Sequence, residues 1–248
     1  MVNVSIAMPV FNESDGIRET LSELDAVFKS VNEHVAFFIQ DDKSSDNTVG
    51  IINKCAHELD LKIFLESNPA NIGHGPTVIK AYNRAINSNS EIVLQLDSDG
   101  QFNPSELFKL LSSIRCGTEL ALGVRKRRVD PWFRILLTKS LRLLLFIRFR
   151  KYFEDPNSPI RAYKTETLKD LILQIPQDAL IPNIYLAIIA KLHGKNIENI
   201  VVTHRDRRGE NKTGSTWVSK SRVKSIIRLI RFATRALREF IGFKPTRI

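Results

Sequence analysis

Short apolar runs alternate with amphipathic segments along the first half of the chain. The amphipathic segments repeat apolar residues every third or fourth position, as between Ile17 and Phe28, which predicts helices. The apolar runs have the length of buried strands and cover residues 3–10, 35–40, 61–65, 92–96 and 120–124. Alternating strands and helices need crossover connections, so we expect an α/β fold with a mainly parallel sheet and helices on both faces.

Polar residues follow each of these strands at its carboxyl end. In open α/β sheets, ligands bind at this edge. Because five polar ends would meet there, the pattern predicts one shared site rather than five unrelated turns. The polar ends are residues 9–13, 41–42, 71–75, 97–101 and 125.

The second half of the chain has a different pattern. It contains a leucine-rich stretch with scattered arginines at residues 131–150 and an apolar helix at 181–193. A strand follows at 197–204, and the last helix covers 217–241. No linker separates the halves. We therefore expect one domain over residues 1–216 and a C-terminal extension over residues 217–248.

The strand at residues 92–96 is followed by two carboxylates one residue apart, Asp97 and Asp99. In an extended backbone these side chains point to the same side. Gly100 allows a sharp turn, after which the Gln101 side chain can bring a third oxygen to the same point as the two carboxylates. Such oxygens suit Mg²⁺ or Mn²⁺. The alternative is that the two carboxylates cap a helix beginning near Pro104.

Charge and cysteine content narrow the classes of partner. The 248 residues carry a formal net charge of +10, which favours a nucleotide, a nucleic acid or an anionic membrane face. Cys55 and Cys116 have no metal-type spacing and read as reduced thiols of a cytosolic protein. No signal peptide is visible, and the longest uncharged apolar run, residues 143–147, is too short to span a membrane.

The last helix concentrates positive charge on one face. A basic amphipathic helix can lie in a membrane interface, but it can also pack on the sheet with its arginines in water. Both interpretations remain open from the sequence. The basic residues recur every three or four positions, at Lys220, Lys224, Arg228, Arg231, Arg235 and Arg238.

Seven motifs in order resemble those of family 2 glycosyltransferases with the GT-A fold. Within this family the chain most resembles the dolichyl-phosphate mannose synthase-like group, which loads sugars onto polyprenyl phosphate. Phe11 replaces the usual tyrosine, and Lys43 stands where glycine is usual. The Gln-x-x-Arg-Trp motif of processive polysaccharide synthases is absent. The motifs are MPVFNES, IQDDKSSDNT, NPANIGHG, LQLDSDGQFNP, GVR, DPNSPIR and HRDRRGENKTGS.

The resemblance implies roles for particular residues. It places a metal ion on Asp97, Asp99 and Gln101, and the acceptor phosphate on Ser158, Arg161 and Arg208. Asp155 would be the general base for a hydroxyl acceptor, or else a turn cap before Pro156, and His74 is either close to the diphosphate or incidental. The nucleotide-sugar pocket would comprise Pro9, Phe11, Glu13, Asp41, Asp42, Asp97, Ser98, Arg125 and Arg207.

These observations predict an inverting, metal-dependent transferase at the cytoplasmic membrane face, with a nucleotide sugar as donor and polyprenyl phosphate as acceptor. A phosphate acceptor is already ionised at pH 7, whereas a hydroxyl needs a base. Gly209 and residues 211–214 suggest a loop that closes over the diphosphate. One alternative is transfer to a hydroxyl of a surface glycan. Another is a non-catalytic nucleotide or nucleic-acid binding protein, although aromatics are not interleaved with the late basic residues.

Overall fold

A seven-stranded mixed sheet forms the centre of the protein. The computed structural model describes residues 3–31, 33–59, 61–125, 132–208 and 222–245. The strand order is β3-β2-β1-β4-β6-β5-β7. The strands are β1 (Val4–Val10), β2 (Val35–Asp41), β3 (Lys62–Ser67), β4 (Ile92–Gln95), β5 (Leu120–Arg125), β6 (Arg161–Lys164) and β7 (Ile197–Val202).

Most neighbouring strands are parallel, as the alternating sequence pattern predicts. β1 pairs in parallel with β2 and β4, β2 with β3, and β5 with β7. The exception is β6, which lies antiparallel between β4 and β5 and pairs Arg161 with Gln95. The sequence did not predict β6, because four residues are too few to show a period. It also did not predict the short helix after β6.

Helices cover both faces of the sheet and bury two separate apolar clusters. One cluster lies under α1, α2 and α4, and the other lies under α3 and α5 to α8. No described helix is both long and apolar enough to cross a membrane. The helices are α1 (Ile17–Ser30), α2 (Thr48–Glu58), α3 (His74–Ile86), α4 (Leu107–Arg115), α5 (Trp132–Phe149), α6 (Thr165–Ile172), α7 (Pro182–Leu192) and α8 (Arg222–Gly242), with a 3-10 turn at Pro104–Glu106 before α4.

The carboxyl end of α8 is fastened to the rest of the fold. Phe243 stacks on Tyr185 of α7 with ring centroids 4.0 Å apart, and Phe240 meets Phe149 of α5 edge to face. Arg148 of α5 donates hydrogen bonds to the backbone carbonyls of Phe240, Ile241 and Phe243. The boundary predicted at residues 216 and 217, like Lys220 and the 211–214 loop, lies outside the described residues.

Candidate active site

The loops after β1 and β2 are joined into one wall of the site. The backbone N–H of Asn12 donates to Ser44 Oγ at 2.9 Å, and Ser45 N–H donates to Asn12 Oδ1 at 2.8 Å. Glu13 N–H donates to Thr48 Oγ1 at 2.8 Å. Because β1 and β2 are parallel neighbours, both loops leave the sheet at the same edge. The predicted convergence of these polar ends is therefore present in the structure.

Asp41 and Asp42, at the end of β2, hold the surrounding loops. The Asp42 carboxylate accepts hydrogen bonds from the backbone N–H groups of Ile72 and Gly73, and from the Asn68 side chain. Both Asp41 oxygens accept from the backbone N–H of Ser44. Both side chains are buried. Both carboxylates therefore hold the loops around the pocket in place, and their predicted contact with a base or ribose stays a prediction.

Lys43, the residue at the usual glycine position, has a left-handed backbone with φ = +63°. A residue with a Cβ is strained in this region, whereas glycine is not. The departure from the family motif therefore keeps the backbone shape that the motif requires. Elsewhere in this wall, Pro9 is buried within β1, Phe11 is half-buried and Ser98 is buried beside the carboxylate pair. Their predicted places in the nucleotide-sugar pocket stay predictions.

Asp97 and Asp99 lie just beyond the carboxyl end of β4, where the chain turns at Gly100 with φ = +69°. Asp99 Oδ1 accepts from the backbone N–H of Gln101 at 3.2 Å. Asp97 Oδ1 is buried and has no hydrogen-bond partner among the described residues. His74 Nε2 lies 4.0 Å from that oxygen. The two carboxylates therefore cap no helix. Asn103 caps the turn at Pro104 instead.

Burial makes this pair of carboxylates hard to ionise. Burial raises the pKa of Asp97, with His74 and nearby arginines opposing the rise. Burial and then the negative charge of Asp97 raise the pKa of Asp99 to about 6. Two carboxylates so close together, one buried and one partly buried, need positive charge beside them. The structure supplies part of it from Arg207.

Arg207 bridges the carboxylate pair to the loop after β1. Its guanidinium donates to Glu13 Oε1 and lies 3.5 Å from Asp99 Oδ2. Burial raises the pKa of Glu13 to about 7, although Arg207 acts in the opposite direction. The sequence pattern placed Glu13 and Arg207 in the site separately. It gave no signal that they contact each other, because 194 positions separate them.

The residues of this corner fit a hard divalent cation. Carboxylate oxygens are the ligands that Mg²⁺ and Mn²⁺ prefer, and this corner offers those of Asp99 and the Asp97 oxygen that has no hydrogen-bond partner among the described residues. No cluster of three His, Cys, Asp or Glu side chains suited to a metal occurs in the described ranges. Mg²⁺ sites of one or two carboxylates are completed by water and substrate phosphates. Gln101 donates its amide N–H to Arg205 O at 3.4 Å, so only its amide oxygen is left to contribute.

Arg125 and Asp155 form a buried, two-pronged ion pair. Arg125 Nε and Nη2 lie 2.7 and 2.9 Å from the two Asp155 oxygens. Arg125 was expected to contact the donor diphosphate and Asp155 to act as a base. In the structure each holds the other, because a charge buried without its partner is costly, and the two expected roles stay predictions.

The structure corrects the expectation that Arg161 binds the acceptor phosphate. Arg161 is 0% exposed, and its N–H groups reach the carbonyls of Pro156, Ser158 and Asn183 and the hydroxyl of Tyr163. It fastens the 156–158 turn to α7, and no N–H remains for a ligand. Ser158 is also 0% exposed, so it does not reach an acceptor in this conformation.

Comparison with known proteins gives a family match and a set of relatives. The sequence model described as Glycosyl transferase family 2 matches residues 5–169. An undecaprenyl-phosphate 4-deoxy-4-formamido-L-arabinose transferase from Edwardsiella ictaluri is 26% identical over 212 residues, covering 85% of this chain and 63% of the relative. The protein of the same description from Proteus mirabilis is 24% identical, with 84% and 62% covered. The chain thus spans less than two thirds of these relatives.

Solved structures with a similar fold come from more distant proteins. Glucosyl-3-phosphoglycerate synthase from Mycobacterium tuberculosis, in complex with Mn²⁺, uridine diphosphate and phosphoglyceric acid, has a TM-score of 0.66 at 17% identity. It matches over 96% of this chain and 77% of that chain. Mannosyl-3-phosphoglycerate synthase from Rubrobacter xylanophilus has a TM-score of 0.60 at 16% identity, covering 100% and 77%. At these identities the similarity establishes the fold alone.

Proposed function

This chain belongs to glycosyl transferase family 2, and from that premise we propose that it transfers a sugar from a nucleoside-diphosphate sugar to a polyprenyl phosphate, with Mg²⁺ or Mn²⁺ as cofactor. The single observation that most supports the proposal is the corner formed by Asp97, Asp99 and Arg207. Family membership makes the chain a glycosyltransferase, so the non-catalytic alternative is set aside.

The donor half of the reaction requires positive charge where the diphosphate leaves. A divalent cation held by Asp97 and Asp99 would stabilise the growing negative charge on the leaving group. Arg207, which already lies beside Asp99, would add a second positive charge to the same region. A solved relative of the same fold was crystallised with Mn²⁺ and uridine diphosphate, which supports this type of donor.

The acceptor half is supported by the relatives' names and by the state of Asp155. The relatives are described as undecaprenyl-phosphate transferases. Asp155 is engaged by Arg125 through both oxygens, an arrangement that suits an ion pair better than a general base. A phosphate monoester needs no base, because it is ionised at pH 7. Its direct attack in one displacement would invert the configuration of the sugar.

The surface of α8 supports a position at the membrane face, where a polyprenyl acceptor resides. On a helical wheel with 100° between successive residues, the side chains of α8 form three strips rather than one apolar and one basic face. Phe240 points inward, and an arginine strip faces outward at Arg228, Arg231, Arg235 and Arg238. Beside the arginines, a third strip exposes the apolar residues Ile227, Ile230, Leu237 and Ile241. The alternative in which this helix packs its apolar residues on the sheet therefore does not account for these four exposed side chains.

Helix α5 extends this apolar surface. It contacts α8 through Phe149 and Arg148, and its outer side exposes Leu143, Leu144, Phe146 and Ile147. Exposed apolar residues beside arginines are typical of helices that lie in a bilayer interface. We therefore propose that the protein binds peripherally to the inner face of the membrane through the exposed apolar residues and arginines of α5 and α8, which together we call the α5–α8 surface.

A transfer assay tests the proposal. The protein is incubated with radiolabelled nucleotide sugars, Mn²⁺ and undecaprenyl phosphate, and label in the lipid phase is measured. We expect transfer by the wild type and at least about 100-fold less by Asp97→Asn and Asp99→Asn. Asp170→Asn, which alters an exposed carboxylate on α6, is the matched control and should retain wild-type transfer.

Two outcomes would count against parts of the proposal. Full activity of both aspartate variants would remove the metal corner from the reaction. Label found only in a water-soluble glycan supplied as competitor would favour a hydroxyl acceptor instead of polyprenyl phosphate.

A further inference from the structure

Residues 204–208, here called the arginine strap, run along the turn that contains Asp99. Arg205 N–H donates to Gln101 O at 2.8 Å, and Arg208 N–H donates to Asp99 O at 3.0 Å. The backbone of His204 forms an isolated antiparallel β-bridge with that of Phe102. The strap also lies close to Gly100, where an added Cβ would lie 2.6 Å from Cδ of Arg208. These contacts fix the strap against the carboxylate corner.

The arginine side chains of the strap pair with acidic residues in two places, one at the carboxylate corner and one on α1. Arg207 pairs with Glu13 and approaches Asp99, whereas Arg205 and Arg208 both pair with Glu23 on α1. Arg207 and its two partners are nearly buried, and Arg205 and Glu23 are half-buried. Water screens the inner pairs less than the outer pairs. The inner pairs therefore have the greater effect on the charge of the corner.

Arg207 and a divalent cation would each neutralise the negative charge of Asp99. Asp99 is a carboxylate of the pair that would hold the metal, and Arg207 Nη1 lies 3.5 Å from its Oδ2. A second cation placed on that carboxylate would be repelled by the first. The donor diphosphate would offer Arg207 a new set of anionic oxygens, which suit a planar guanidinium as well as carboxylates do.

We propose that Arg207 is an internal counter-ion that competes with the divalent cation for Asp99 and moves to the donor diphosphate when metal and nucleotide bind together. This inference rests on the proposed function and adds an order of events to it. Glu13 is the positioning residue, because it holds the guanidinium beside Asp99 while the diphosphate is absent. Metal alone binds weakly, and metal with nucleotide binds strongly.

The competition predicts opposite effects of one substitution on two affinities. In Arg207→Met, Mn²⁺ alone should bind about fivefold or more tightly than in the wild type, because a neighbouring positive charge is gone. In the same variant, uridine diphosphate should bind about tenfold more weakly at saturating Mn²⁺, because a charge-assisted contact is lost. Electron paramagnetic resonance of free Mn²⁺ measures the first affinity, and calorimetric titration with uridine diphosphate measures the second.

Two variants on the strap separate competition from a general loss of structure. Arg207→Lys keeps the charge and should bind Mn²⁺ alone nearly as the wild type does. Arg205→Gln removes a cation that pairs with Glu23 rather than with Asp99, and it should leave Mn²⁺ affinity unchanged. If Arg207→Met does not fold, Glu13→Gln/Arg207→Met removes both members of the pair, and should bind Mn²⁺ more tightly than Glu13→Gln alone.

The outcomes distinguish failure of this inference from failure of the proposed function. Unchanged or weaker Mn²⁺ binding by Arg207→Met, with a wild type that binds Mn²⁺ and transfers sugar, would overturn the competition and leave the transferase intact. A wild type that binds no Mn²⁺, with or without uridine diphosphate, would overturn the metal role itself and this inference with it. Parallel loss of both affinities would mark Arg207 as purely structural and also overturn the inference.

Discussion

At the scale of single residues, the site contains acidic side chains whose pKa values are raised in the folded protein. Glu13 has a pKa of about 7 and Asp99 of about 6, both raised chiefly by burial. An acid whose pKa is raised on folding binds more protons in the folded state than in the unfolded state. The free energy of unfolding therefore falls as pH rises between the two pKa values. For Glu13 this window runs from about 4.5 to about 7.

Replacing Glu13 tests this pH dependence. Relative to Glu13→Gln, the metal-free wild type should lose on the order of 2–3 kcal/mol of stability between pH 4.5 and pH 7.5, because only the wild type must ionise a buried acid there. Urea denaturation of both proteins at several pH values gives the difference. A difference that does not vary with pH, or one that favours the wild type as pH rises, would contradict the assigned pKa.

The sequence identified most residues of the site but not how each is used. Spacing was enough to place Asp97 and Asp99 together, since the strand geometry is local. It was not enough to separate a ligand-binding cation from a structural one: Arg161 and Arg125 have the same chemistry as Arg207. Only tertiary contacts show that Arg161 is saturated by carbonyls and that Arg125 is paired with Asp155. The link from Glu23 to the strap was also missed, because a surface acid in a helix gives no signal.

At the scale of elements, the antiparallel strand β6 depends on one buried arginine. Arg161 opens β6 opposite Gln95 of β4, and it also anchors the 156–158 turn and Asn183 of α7. Apolar periodicity predicted the five strands from β1 to β5 and the β7 region. A four-residue strand such as β6 is specified by this buried network rather than by a local pattern, which explains why the sequence did not reveal it.

Removing this arginine should destabilise the fold strongly. Arg161→Met should lower the free energy of unfolding by about 3 kcal/mol or more, because several buried carbonyls lose their donors. Arg161→Lys should recover little, because an ammonium cannot reproduce the planar fork. Arg115→Met is the matched control, since Arg115 forms an exposed pair with Glu33 and such pairs contribute about 1 kcal/mol or less. Chemical denaturation measures all three. If the Arg161 variants lose transfer activity while their stability is unchanged, Arg161 contacts the acceptor rather than stabilising the fold.

At the scale of the whole molecule, positive charge and exposed apolar area coincide on the α5–α8 surface. The net charge of +10 indicated an acidic partner without locating the contact. The sequence pattern placed basic residues on one face of α8, and Arg228, Arg231, Arg235 and Arg238 are exposed in the structure. It could not predict that a neighbouring apolar strip stays exposed, because helical periodicity does not tell which apolar residues the fold covers.

Vesicle binding tests this surface directly. Leu237→Glu/Ile241→Glu should reduce binding to vesicles containing anionic lipid by at least about tenfold, since it removes apolar contact and adds repulsion. Leu173→Glu changes an even more exposed apolar residue just after α6, outside the surface, and should bind as the wild type does. Cosedimentation at two salt concentrations gives the affinities. Equal binding by all three proteins would show that the α5–α8 surface does not contact membranes.

The central claim is that Asp97 and Asp99 hold a divalent cation that grips the donor diphosphate, and crystals soaked with Mn²⁺ and uridine diphosphate test it most directly. We predict an anomalous peak about 2.0–2.6 Å from oxygens of these aspartates and of the diphosphate, with Arg207 turned from Asp99 towards the phosphates. Nucleotide bound with no manganese at this corner, or manganese bound elsewhere in the chain, would contradict the account.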